Sequence, residues 1–420
     1  MKLSSIVYKL LPYAVILITV SSIVPWAKIP IGNTYIWYTI YVLILRLLFL
    51  GKRFFNCTKK KEVWVINLFL FCVVASFVHG IVISENYWDW KQLMRNFMIF
   101  LLPITVYSYS NPELLVKTLK FWLKYGLALF PVFFLFVGTE AYGKYLLPIS
   151  FLMLFFPKVP RVWKLIGLGV ILFLIIIAPD SRSNVIKFVV PLGFSLLLFL
   201  KGAVLKNILV LGRVVFLSLP FVLFALAASG IFNVFNMSEY LGGISEDAVI
   251  INDEGREQSL LNDTRTFLYI EEISSALKND YWLFGRSMAR GYDTVSFAKF
   301  GNIMQEETNR NERPSSEVSI LNIFNYFGIV GVLLYFFIFV AASYYAISKS
   351  NNKYIKLIGL YVSFRWAYAW VEDFNSFDLN YFLLWVIVGI CFSVAYRGMT
   401  NREFENWLNS ILGTKRWVFK

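Results

Sequence analysis

Apolar runs recur along the whole chain, separated by short polar interruptions, and most are close to the length that crosses a bilayer. About 20 mostly apolar residues suffice for a helical span. Twelve segments fit that description: roughly 10–29, 33–50, 63–83, 92–108, 119–138, 142–156, 163–179, 185–200, 208–231, 317–346, 355–373 and 380–396. The boundary between 119–138 and 142–156 can shift, because the second run is short and carries Pro148. The first run lacks a small-residue cleavage site and another run follows closely, so it reads as an anchor rather than a signal peptide. The pattern predicts an all-α polytopic membrane protein of about 12 transmembrane helices.

One region breaks the rhythm. Residues 232–315 are too polar for lipid and divide the chain. A bundle of about nine helices (1–231) precedes this large loop, about three helices (316–396) follow it, and a tail (397–420) ends the sequence. Within the loop, NDTRTFLYIEEISSALKNDYWLFG (262–285) predicts an amphipathic helix capped by Asn262 or Asp263. Phe267, Ile270, Ser274 and Leu277 form one face, with Arg265, Glu271, Glu272 and Lys278 largely elsewhere. Such a helix lies against the bundle or the membrane surface. The next stretch, LFGRSMARGYD (283–293), has the glycine and arginine content of a turn.

Composition strengthens the membrane reading. Hydrophobic residues make up 58% of the 420 and the mean hydropathy is +0.63, more apolar surface than a soluble domain can cover. The net charge of +14 suggests nucleic acid until its distribution is read. With the N-terminus inside, GKRFFNCTKKKE (51–62) carries five basic residues, PKVPRVWK (157–164) three, SKSNNKYIK (348–356) three and the tail from Arg397 five. The large loop holds 8 Lys/Arg against 14 Asp/Glu, a net of 8 − 14 = −6. This is the positive-inside pattern, and the surplus charge meets anionic membrane lipids. Both termini are expected in the cytoplasm, with the loop outside and no nucleic acid as partner.

Ionisable residues in or beside a membrane are expensive and seldom face lipid. Several gather at the predicted outer side. SRSN (181–184) puts Arg182 in an outer turn, Arg95 and His79 lie near outer helix ends, Glu317 opens the tenth run, and Glu372 and Asp373 close the eleventh, with Arg365 deeper in it. Each has a plainer reading. Arg182 can snorkel to headgroups, Arg95 can anchor the interface, and His79 can pack between helices. Arg365 can pair with Glu372 or Asp373, and Glu317 can answer a helix dipole. None of the three cysteines (Cys57, Cys72, Cys391) is in the large loop, so no disulfide framework is expected there. The single histidine and the lack of a DxD-like cluster in an outer loop point to no metal and no cofactor. Chemistry would have to come from carboxylates and arginines.

With these features in order, the chain resembles the O-antigen polymerase and ligase superfamily, the Wzy-type polymerases of bacterial surface polysaccharides. The resemblance covers the whole hydropathy profile. Ten residues, VSILNIFNYF, separate Glu317 from Gly328 in GIVG (328–331), where family members often place a His before a GIIG-like stretch. SRSN matches an earlier outer turn with Arg after Ser, and Arg265 followed by LFGRS (283–287) matches an arginine and glycine turn of the large loop. The resemblance implies a GT-C-like fold in a bacterial cytoplasmic (inner) membrane. It implies glycosyl transfer from a polyprenyl-diphosphate-linked oligosaccharide at the outer leaflet, with a chain-length regulator protein as a partner. It assigns the diphosphate to Arg182 and Arg265, with Arg286 and Arg290 as further ligands, since guanidinium forks pair with phosphate oxygens. Glu317 takes the place of the family histidine as general base, its pKa raised by burial. His79, Arg95 and Arg365 would support, and His79 or an acid in the loop is the alternative base. A flippase for the same lipid-linked oligosaccharide and a ligase differing in acceptor are the competing readings.

Overall fold

A computed structural model describes residues 2–178, 182–236, 249–251, 257–259, 265–296, 308 and 310–413. The described chain is mostly helical, with very little strand. Its first half holds α1 (Leu3–Ile23), α2 (Thr34–Phe55), α3 (Trp64–Ile83), α4 (Tyr87–Phe100), α5 (Thr105–Tyr109), α6 (Pro112–Phe121) and α7 (Leu127–Phe134). There follow α8 (Glu140–Tyr145), α9 (Leu147–Met153), α10 (Arg161–Ile177), α11 (Arg182–Ser195) and α12 (Gly202–Ala228). The loop contributes α13 (Thr266–Lys278), and α14 (Ser319–Ser348), α15 (Lys353–Tyr368), α16 (Leu379–Phe392), α17 (Val394–Gly398) and α18 (Asn401–Ile411) complete the fold. Two short antiparallel pairs lie in the loop: β1 (Val249–Ile251) with β2 (Glu257–Ser259), and β3 (Tyr292–Asp293) with β4 (Glu312–Arg313).

Local chemistry explains where many helices start. The side chains of Asn33, Asn86, Asn111, Asn352 and Asp378 accept hydrogen bonds from the first turns of α2, α4, α6, α15 and α16. A capped end satisfies N–H groups that lipid cannot. Among the described residues, six helical segments are long and apolar enough to cross a membrane: Leu3–Trp26, Thr34–Phe55, Trp64–Ile83, Arg182–Phe199, Gly202–Ala228 and Ser319–Ser348. The other expected runs are also helical but shorter, interrupted or more polar. Run 92–108 breaks at the Leu102–Ile104 turn around Pro103 into α4 and α5. Run 142–156 splits between α8 and α9 at Leu146, just before Pro148. Proline lacks the N–H that continues a helix.

The core centres on α16, all of whose side chains are buried. It is packed by α1, α5, α14 and α15. By contrast α10 and α12 turn many large apolar side chains outward, Leu165, Leu172 and Leu211 among them, as helices bordered by lipid do. The tail is part of the fold: α18 carries a Thr400/Glu403 capping box and buries Phe404, Trp407 and Leu408.

The loop is joined to the bundle by a kink. Inside α14, Gly328 adopts φ 64° and ψ −164°, a conformation open only to glycine. The LFG turn enters that break. Ile329 and Val330 donate their backbone N–H groups to the carbonyls of Trp282 (2.9 Å) and Leu283 (3.3 Å), and Arg286 N donates to Asn325 O at 2.7 Å. A Cβ on Gly328 would strike the Leu283 carbonyl, and one on Gly285 (φ 81°) would sit 2.7 Å from Gly328 N. The GIVG and LFG motifs, more than forty residues apart in sequence, therefore form one joint.

The loop helix begins at Thr266, with Arg265 at its cap position; Asn262 and Asp263 lie outside the described residues. Its buried face also differs from the expected stripe. Leu268, Glu272, Ser275 and Ala276 face inward, while Ile270 and Leu277 are 60% and 66% exposed. Packing against α14 and β3 selects a face that the apolar period alone does not.

Candidate functional site

At the loop-bearing end, the starts of α11, α13 and α14 converge on the turn between α15 and α16. Ser319 N donates to Glu372 O (3.2 Å) and Ile320 N to Ala369 O (3.0 Å), which seats α14 on that turn. Tyr368 Oη donates to Ser183 O (3.4 Å), which brings α11 alongside. Two cations approach Glu372: Lys187 Nζ at 3.5 Å and Arg265 Nη2 at 3.7 Å. Arg182 is the exposed first residue of α11, about one turn and a half before Lys187 on the same helix. Sequence reading missed Lys187, whose signal was a lysine inside an apolar run; its side chain is only 3% exposed.

Asp373 follows in the same turn. Its Oδ1 accepts from Asn375 N (2.9 Å), Asn322 Nδ2 (3.2 Å) and Ser319 Oγ (3.4 Å). Burial, with Asp378 and Glu372 adding, pushes this carboxyl up to about 6 against the pull of Asn375 N–H and the Asn322 amide. Asp378, the α16 cap, is also raised by burial, offset chiefly by Lys144 and then by the Tyr381 N–H and Lys187.

An apolar groove of about 620 Å³ runs up to this mouth between α12, α13 and the end of α15. Leu223, Phe224, Tyr269, Ile273, Trp370 and Val371 are among its walls. The Trp370 indole N–H has no acceptor among the described residues. Thr266 and Val371 also line the groove, and they are the chain neighbours of Arg265 and Glu372. Apolar surface and opposite charges thus adjoin.

Arg286 and Arg290 stand elsewhere, in a second cluster. Arg286 Nη1 donates to Asp293 Oδ1 (2.7 Å) and to Gly291 O (3.0 Å), and its Nη2 lies 3.2 Å from Glu312 Oε1. Arg290 holds Glu312 with two nitrogens, Nε at 3.0 Å from Oε2 and Nη2 on Oε1. Burial opposes the ionised form of Asp293, yet hydrogen bonds from Asn279 and Arg286 outweigh it and hold the carboxyl below its usual range. Arg310 pairs with Asp89 at 3.1 Å and with Glu85. The Arg286 and Arg290 pairs hold this part of the loop together, and the Arg310 pairs clamp it onto α4. His79 borders a cavity of about 740 Å³ beside this clamp, with Glu85, Arg286 and Arg290.

The remaining expected residues take separate places. Glu317 lies before the first turn of α14, 58% exposed, with Oε1 held by Arg313 Nη2 at 2.8 Å. The half-dehydrated setting expected for it belongs instead to Asp373. Arg365 is buried and pairs with neither Glu372 nor Asp373; it donates to Asn380 Oδ1 at 3.0 Å and lies over the Phe374 ring. Arg95 is exposed on α4 and acts electrostatically on Tyr41 and Tyr326. The mouth thus gathers Arg182, Arg265, Lys187, Glu372 and Asp373, while Arg286, Arg290 and His79 belong to the clamp.

No family model matches the chain, and no curated protein or solved structure matches it.

Proposed function

We propose that the protein is a glycosyltransferase that polymerises polyprenyl-diphosphate-linked oligosaccharide repeat units of a bacterial surface polysaccharide. On this reading it crosses the cytoplasmic membrane about twelve times in a GT-C-like arrangement. Both termini are cytoplasmic and the loop-bearing end faces outward. One observation carries the reading: an apolar groove is lined by Thr266 and Val371, and their chain neighbours Arg265 and Glu372 approach each other there, with Lys187 also close to Glu372. A lipid diphosphate has that same composition, an apolar chain ending in negative charge. The isoprenoid lies in the groove, and the diphosphate meets Arg265, Lys187 and Arg182. As the bond from sugar to diphosphate breaks, charge develops on the leaving oxygen, and cations already in place lower that barrier.

The test is a glycan profile, by gel, of source cells lacking the gene and complemented with wild type or Arg265→Ala. Product capped at one repeat unit in the deletion and the variant, with long chains restored by wild type, is the expected outcome. Loss of all surface glycan with accumulation of lipid-linked units or chains would instead assign the protein to export or ligation. Those are the flippase and ligase readings.

A further inference from the structure

We propose that Asp373, rather than Glu317, takes the proton from the attacking sugar hydroxyl, an inference that rests on the glycosyl-transfer reading above. Glu317 is mostly exposed and one of its oxygens is held by Arg313. Asp373 is half-buried, and its hydrogen bonds are all on Oδ1. Three donors from two chain segments fix the plane of the carboxylate, and Oδ2 takes no hydrogen bond among the described residues. A base must hold one oxygen toward its proton within hydrogen-bond reach. This carboxylate is anchored on one side and open on the other.

Order along the turn supplies the second argument. Trp370 and Val371 line the apolar groove, Glu372 receives Lys187 and Arg265, and Asp373 comes next. The donor lipid has the same order: isoprenoid, diphosphate, sugar. Four residues of extended chain reach at most about 14 Å, so groove, cations and carboxylate sit within the span of the donor's reacting end. In the step, the acceptor O–H bond breaks and its proton passes to Asp373 Oδ2. The acceptor oxygen bonds to the anomeric carbon, and the bond from that carbon to the diphosphate oxygen breaks. The diphosphate leaves with the electron pair, beside Arg265 and Lys187.

Full-length protein in vesicles is supplied with the lipid extract of source cells lacking the gene, and chain extension is followed by gel. Asp373→Asn keeps an oxygen for the three donors and cannot take the proton. It should extend chains at least about 100-fold more slowly, with an unchanged KM for the lipid-linked unit and an unchanged melting temperature. Asp373→Glu should recover part of the rate. Wild-type rate should fall as pH drops through about 6, and the glutamate variant should displace that limb. The groups that also bear on it are Glu372 and Asp378 in its own turn, Tyr326 and Tyr335 of α14, and Tyr381 of α16. Lys187 and Arg182 of α11, Arg265 beside α13 and Arg365 of α15 complete the setting. Extension by Asp373→Asn within about threefold of wild type would overturn the assignment, as would an equal loss in Glu317→Gln with Asp373→Asn active. An intact wild type that extends nothing overturns the glycosyl-transfer reading itself, which is a different result.

Discussion

The mouth and the clamp lie at the same end of the bundle, and both are built from arginines and carboxylates. They differ in how closely the charges meet. In the clamp, Arg286 reaches Asp293 at 2.7 Å and Glu312 at 3.2 Å, and Arg290 grips Glu312 with two nitrogens. In the mouth, Lys187 and Arg265 stand 3.5 and 3.7 Å from Glu372, beside an apolar groove. A guanidinium already engaged by carboxylates at contact distance has few donors left for a phosphate. The Arg286 and Arg290 pairs therefore tie the loop together, Arg310 fastens it to Asp89 of α4, and the mouth sets its charges beside apolar surface. Residue type alone assigns both sets of arginines to the diphosphate; position relative to the apolar groove separates them.

The largest expected effect breaks the clamp. Glu312→Ala leaves two partly buried guanidinium groups without their shared partner and should cost about 3–5 kcal/mol, read as a lower melting temperature in detergent. A small stability change with a selective loss of chain extension would mean that the clamp arginines serve the ligand after all. Next comes the joint between loop and bundle. Gly328→Ala forces a side chain into a left-handed backbone position and against the Leu283 carbonyl, for about 3 kcal/mol. Native-state proteolysis of the loop should accelerate with it.

At the mouth the sign of the comparison should reverse. Arg265→Ala should slow chain extension by about 100-fold with little change in melting temperature, and Arg265→Lys should not restore it, because an ammonium cannot make paired hydrogen bonds to phosphate. A large melting shift without loss of extension would make Arg265 another clamp residue. The smallest effect concerns Glu272. It is fully buried on α13, and neither oxygen has a hydrogen-bond partner at ordinary geometry among the described residues. Burial raises this carboxyl well above its ordinary 4.5, and the nearby Asn325 N–H and Arg313 offset that only in part. The folded state therefore favours the protonated form, so stability is greatest below about 4.5 and declines as pH rises toward the folded value. Glu272→Gln should flatten that decline and add about 1 kcal/mol at neutral pH. The check is a set of melting curves across pH for both proteins.

The chain by itself determined much of the local structure. Apolar runs marked helical segments throughout, Asn and Asp side chains cap the starts of several of them in the structure, and Pro103 and Pro148 lie where two runs break. Those features depend on neighbours within a few residues, through hydrogen bonds and helical period, so they are written in one dimension. The polar loop and the GIVG and LFG motifs were legible as well. Their union was not, because a kink and a turn must meet before either shows its purpose. The candidate site was legible in part: Arg182 and Arg265 were singled out, but Lys187 was passed over, Glu317 was placed in a dehydrated setting it does not occupy, and the face of α13 that packs on the protein is not its apolar stripe. Lys187 and Glu372 are far apart in sequence and close in space. Which cation a carboxylate finds, and how much water it keeps, depends on how α11, α13, α14 and the turn after α15 pack together. Electrostatic energy follows distance through space and local dielectric, and only the tertiary structure decides those.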